Sequence, residues 1–270
     1  MNKYIKILTL CIICALFFTV KSCKNPDFST NDMENERLQD PLTRSGELSW
    51  DYPVKPGMEF WNSLETEEER ITAIQVPESI LAKLSPEEVI GLCITFPSFG
   101  HFTAWDTPQD GFNVMLSRYN ILRYLLSCED AGGSLIAAYK DANLYGFKTL
   151  PYSNEFWSLK LLYIELLLSQ KQILQSLTPD QKLELITEAR SKYFEKFNNE
   201  NFASLPEMLF SLRIMASILD VEEYPELITS PNREAIARFI NSGWWLDKEL
   251  PIEEIGKMID NYVYNRNLIQ

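Results

Sequence analysis

The sequence predicts an all-α fold, an irregular multi-helix bundle or helical array of about ten helices around a central apolar helix. Three observations lead there. Ser-Pro or Thr-Pro pairs stand at Ser85-Pro86, Thr107-Pro108, Thr178-Pro179 and Ser230-Pro231, the pattern of a helix N-cap followed by a first-turn proline. The hydroxyl accepts from a free backbone N–H, and proline has no N–H to leave unpaired. Apolar residues between these starts recur at the helical period. Strand signals are nearly absent, because Asp110-Gly111 falls in the first turn of a helix candidate and not between two alternating runs. The cap spacings are irregular, so no solenoid repeat is expected.

Residues 1–22 read as a lipoprotein signal peptide. Lys3 and Lys6 form a charged start, and the apolar run from Ile7 to Val20 has the length of a signal core and not of a membrane span. Val20-Lys21-Ser22-Cys23 resembles the bacterial lipobox, whose cysteine is lipidated and becomes the new N-terminus. Ordinary cleavage elsewhere and an uncleaved anchor are the alternatives. Several acyl chains on Cys23 suffice for stable attachment to a bilayer. Residues 23–57, rich in Asn, Asp, Glu, Ser, Thr and Pro, are expected to be the lipidated cysteine and a flexible tether, with either Trp50 and Tyr52 marking where the chain first docks or disorder as far as Glu59. Residues 58–270 are expected to form a single all-α domain.

The whole chain carries a net charge of −13; without the leader it keeps 22 basic and 38 acidic residues, a charge of −16. Such a chain repels phosphate backbones and shows no basic run, which argues against nucleic acid as a partner.

Within the domain, helices are expected near 63–74, 77–83, 86–95, 108–127, 129–143, 153–176, 179–199, 204–219, 231–242 and 251–265. The third residue after the cap is Glu88 in the run from Ser85 and Gln181 in the run from Thr178, which completes a capping box in each. In the helix from Pro108, the residues Phe112, Met115, Leu116, Tyr119, Leu122 and Leu126 form the buried stripe, leaving Asn113, Ser117, Asn120 and Ser127 wet. The run from Phe156 to Leu168 is apolar on almost every face and is the nominated central helix; Lys160, Glu165 and its length argue against a membrane span. Glu165 there is either a functional carboxylate or a paired structural one.

No constellation of an enzyme stands out. A nucleophile elbow, a zinc helix, a phosphate loop and a calcium loop are all absent from the sequence, and a lone histidine rules out a multi-histidine metal site. No metal and no cofactor are expected. The C-I-I-C of Cys11 and Cys14 belongs to the leader. Cys93 and Cys128 remain, an even count that permits one disulfide, with free buried thiols as the alternative. The weak catalytic candidates are His101, Asp106 and Asp110, since a Cys93–His101 or Ser98–His101–Asp106 relay supplies the residue types that nucleophilic catalysis needs. As a polar or ion-pair cluster the candidates are His101, Asp106, Arg118 and Asn120, with Asp106 proposed as the partner of Arg118. Trp105, Trp244 and Trp245 with Tyr145 and Tyr152 are candidates for a sugar-stacking platform or for core packing.

The arrangement Cys93-x-x-Phe96-Pro97, Asp110-Gly111-Phe112, Ser117-Arg118-Tyr119-Asn120, Leu125-Leu126 and Asp130-Ala131-Gly132 resembles a family of secreted or lipid-anchored proteins found mainly in gut Bacteroidetes, with relatives in some Gram-positive bacteria. The resemblance runs from about Glu78 to Lys140, with Ile121 in the family's glycine place and Tyr124 where a polar residue is typical. It implies an α-helical fold and a place in the bacterial envelope, and it implies no activity. The expectation is a lipid-anchored helical module on the outer membrane or cell surface, held to the membrane through Cys23 and binding a protein or extracellular ligand. The alternatives are a small hydrolase around His101, Asp106 and Asp110, and a surface glycan-binding protein using exposed tryptophan.

Overall fold

A computed structural model describes residues 50–142, 154–198, 205–243 and 250–268. The leader, Cys23, most of the tether, Tyr145, Tyr152, Trp244 and Trp245 lie outside the described residues.

Among the described residues the chain is all-α, a packed helical array without strands. The helices are α1 Glu59–Ser63, α2 Glu67–Ala73, α3 Glu78–Leu81, α4 Pro86–Ile94, a 3-10 turn at Phe99–Ala104, α5 Pro108–Arg118, α6 Asn120–Ser127, α7 Ala131–Asp141, α8 Asn154–Leu168, α9 Lys171–Ser176, α10 Pro179–Asn198, α11 Leu205–Val221, α12 Pro225–Ile228, α13 Arg233–Ser242 and α14 Ile252–Asn267.

The predicted starts hold where the chemistry is local. Ser85 and Glu88 form a reciprocal capping box at α4, and Thr178 and Gln181 bond each other's backbone N–H groups in the same way at α10. Thr107 caps α5 through the Asp110 N–H. At Ser230 the outcome differs. Its hydroxyl accepts from the Asn232 N–H and reaches Glu254 on α14, so it shapes a turn and α13 starts only at Arg233.

Two long helices expected from periodicity are broken. The 108–127 helix divides at Tyr119, whose backbone is extended because its buried ring packs edge-on against Phe96 at 4.6 Å. Side chains satisfy the backbone groups freed there: Gln75 accepts from the Asn120 N–H and donates to the Arg118 carbonyl, and Arg123 donates to the Leu116 and Ser117 carbonyls. The 153–176 helix divides at Ser169-Gln170, where both side chains turn back onto the Leu166 carbonyl.

The core sits between α8 and α11. Every residue from Tyr163 to Gln170 is buried, as expected of the nominated central helix, and so is every residue from Leu209 to Leu219. Helix α8 packs on α11, α7, α9 and the 3-10 turn, while α11 also packs on α9, α10, α12, α13 and α14. Helices α10 and α11 run antiparallel, since Lys182 meets Glu222 at one end and Lys196 meets the Glu207 carbonyl at the other. The 3-10 turn lies directly on α5 at Gly111, where a Cβ would come within 2.1 Å of the Phe102 carbonyl oxygen, so only glycine fits.

The packed domain begins earlier than residue 58. Tyr52 is 2% exposed, donates its hydroxyl to the Leu92 carbonyl and stacks edge-on with Trp50, and Val54 is buried as well. Tyr52, assigned above to the tether, therefore docks on α4, with Trp50 against its ring. No helix among the described residues is long and apolar enough to cross a membrane.

Candidate functional site

The residues singled out in the sequence do not converge. His101 is exposed on the 3-10 turn, and the charges that bear on it are Glu67 and Arg118, not Asp106. Desolvation of its ring lowers its pKa from the ordinary histidine value, Glu67 works against that shift, and Arg118 adds to it. Asp106 is exposed. Asp110 is spent on the cap of α5, where its carboxylate accepts the Thr107 hydroxyl at 2.7 Å. It borders an open groove of about 640 Å³ against Glu234, Arg238 and Ser242 of α13, a groove that neither His101 nor Asp106 lines. Ser98 is buried and hydrogen-bonds Tyr119, so the Ser98–His101–Asp106 relay is not assembled.

Arg118 pairs with Glu67 and not with Asp106. The reason lies in the break at Tyr119: Gln75 holds the end of α5 against the segment that follows α2, which brings Glu67 to the guanidinium. Asn120 belongs to the same clasp, bonding the Val76 backbone on both sides. Cys93 and Cys128 are free thiols. The Cys93 thiol donates toward the Ile121 carbonyl at 3.9 Å, and burial pushes its pKa far up. Trp105 is half-buried.

Glu165 is the center of a buried ionic cluster. Both of its oxygens accept from Lys196 Nζ at 2.7 Å, and one also accepts the hydroxyls of Tyr139 at 2.7 Å and Ser211 at 2.6 Å. Lys196 further donates to the Glu207 carbonyl at 2.9 Å. Glu165 and Lys196 are both 0% exposed. Burial lowers the Lys196 ammonium below the lysine range while Glu165 pulls it back up, and burial raises the Tyr139 phenol well above 10. Every group has a partner, which fits the structural reading of Glu165. Lys196 was invisible as a partner because it sits with Lys182 and Lys192 on the buried face of α10, where lysine is seldom found.

A different place in the fold gathers polar groups around empty space. A cavity of about 260 Å³ opens where α5, α9, α11 and α13 meet, bordered by Gln109, Gln170, Arg213 and Ser217. Gln109 and Gln170 exchange amide hydrogen bonds at 3.0 and 3.2 Å. The first-turn position of Gln109 and the helix break at Gln170 set this pair. Arg213 is 3% exposed; its Nε donates to the Ile240 carbonyl at 2.9 Å, its Nη2 to Gln109 Oε1, and its Nη1 has no partner. Burial lowers its pKa to about 10, so it stays charged at neutral pH. The signal in the sequence was one arginine inside the apolar run M-L-F-S-L-R-I-M-A-S-I-L. Among the described residues, no group of three or more acidic, histidine or cysteine side chains is placed to hold a metal ion.

Comparison of the chain with known protein families, with curated proteins and with solved structures finds no match.

Proposed function

We propose that this is a lipid-anchored protein of the bacterial envelope whose all-α domain works as a binding module. The observation that carries the reading is the separate employment of His101, Asp106 and Asp110: Asp110 serves the α5 cap, His101 stands beside the Glu67–Arg118 pair, and Asp106 is exposed. A catalytic relay needs its base, orienting acid and nucleophile within hydrogen-bond reach of one another. A binding module needs only a rigid surface, which the clasped helices supply.

The anchor rests on the leader and Cys23, and the resemblance of the segment from Glu78 to Lys140 to lipid-anchored Bacteroidetes proteins supports the location. The acidic balance of the chain favours a protein or extracellular ligand over nucleic acid.

One experiment addresses both halves. The full-length protein is expressed in a Bacteroidetes host, labelled with palmitate, and compared with Cys23→Ala and with a His101→Ala/Asp106→Asn/Asp110→Asn variant on a panel of ester, peptide and glycoside substrates. The expected result is membrane label lost on Cys23→Ala and no turnover that depends on the three residues. Label retained in Cys23→Ala, or hydrolysis abolished in the triple variant, would overturn the corresponding half.

A further inference from the structure

We propose that the cavity beside Arg213 is a binding site for a small organic monocarboxylate, with the Arg213 guanidinium as its anchor and the Ser217 hydroxyl as a second donor. The proposal concerns the ligand of the domain and does not depend on how the chain is anchored.

The argument begins with an imbalance of charge. A guanidinium taken out of water needs an anion or a full set of acceptors, because the lost hydration is large and neutral dipoles restore only part of it. Arg213 has two neutral acceptors, the Ile240 carbonyl and the Gln109 amide oxygen, and its Nη1 has none. In a chain with 38 acidic residues, no carboxylate among the described residues forms an ion pair with it. Asp220 borders the same cavity but is held by Arg233 across from α13. Among the described residues the guanidinium therefore has no counter-charge.

Ser217 lies one helical turn beyond Arg213, so both side chains share a face of α11. Its hydroxyl is buried and unpartnered, although a helical serine ordinarily returns its hydrogen bond to the preceding turn. Arg213 and Ser217 both line the cavity and each keeps one unused donor, two donors for the two oxygens of a carboxylate. Gln109, its amide locked to that of Gln170, holds the guanidinium through Nη2, which fixes the anchor before a ligand arrives.

Volume and charge narrow the ligand. About 260 Å³ lies below the usual range for drug-sized pockets and admits a molecule about the size of an amino acid or a sugar acid. A dianion such as phosphate is disfavoured, since Asp220 lines the same space and a single buried cation faces it; Lys171 stands only at the exposed rim.

The test is calorimetric titration and thermal melting of the full-length protein with acetate, lactate, glutamate, glucuronate and galacturonate, with inorganic phosphate and chloride as controls at equal ionic strength. At least one carboxylate is expected to bind and to raise the melting temperature in proportion to the logarithm of its concentration. Ser217→Ala, which removes the hydroxyl and adds no bulk, is expected to weaken binding at least about tenfold with the fold intact, the loss of one hydrogen bond to a charged group. Arg213→Lys is expected to weaken it further, because an ammonium cannot supply the fork. No binding by any of the carboxylates overturns the proposal. So does equal stabilisation by phosphate or chloride, or carboxylate binding that survives Ser217→Ala and Arg213→Lys unchanged.

Discussion

The Asn120 side chain pairs with the backbone of Val76 on both sides, its Oδ1 accepting the Val76 N–H at 3.1 Å and its Nδ2 donating to the Val76 carbonyl at 2.6 Å. The amide thus imitates a neighbouring strand for one residue and ties the segment after α2 to the kink between α5 and α6. Val76 is buried, so no water stands ready to replace the amide. Asn120→Ala is expected to cost about 1–3 kcal/mol, the range for leaving buried backbone groups unpaired. The check is the urea midpoint by circular dichroism; a midpoint equal to that of the unaltered protein would mean that the clasp does not hold.

Breaking the Glu165–Lys196 pair from one side should be far more costly. Lys196→Met leaves a buried carboxylate with only two hydroxyl donors, and a loss of about 3–5 kcal/mol is expected. The double variant Glu165→Leu/Lys196→Met is expected to recover part of that loss. A double-mutant cycle in urea measures the coupling, and simple additivity of the two single variants would refute it.

The two thiols should respond differently to a maleimide reagent. Cys128 is partly exposed while Cys93 is fully buried with its pKa pushed up, and it is the thiolate that reacts. Peptide mapping after labelling of the native protein is expected to find Cys128 modified and Cys93 modified only in denaturant. Mapping without a reductant is expected to find no Cys93–Cys128 crosslink.

Stability should form a plateau near neutral pH and fall on both sides. The N–H groups of Thr66 and Glu65 hold Glu69 below the ordinary carboxylate value, and the side chains of Ser230 and Asn232 do the same for Glu254. Their contribution is present above the unfolded value of about 4.3 and is lost as pH falls through the folded values. Burial raises Tyr52, Tyr139 and Tyr163 well above the unfolded value of about 10; their contribution is present below that pH and is lost as pH rises beyond it. The lowered Lys196 and Arg213 run the other way, two groups against three tyrosines. Urea midpoints measured across the pH range check the shape, and Glu254→Gln is expected to flatten the acid side.

Taken by itself, the sequence determined the fold class, the starts of α4, α5 and α10, and the burial of α8. Each of these rests on groups a few residues apart: a hydroxyl and the N–H three residues on, or apolar side chains on successive turns. The tertiary structure decided where the helices break and which partner each charge takes. Arg118 found Glu67 at a separation of 51 residues, Lys196 found Glu165 at 31, and Arg213 found Gln109 at 104. Composition and period carry no signal across such distances, because a charge is satisfied by whichever acceptor the packing brings within reach. For the same reason the charges that bear on His101 are Glu67 and Arg118 and not Asp106, five residues on, while Arg213 and Gln170, far apart along the chain, border one cavity.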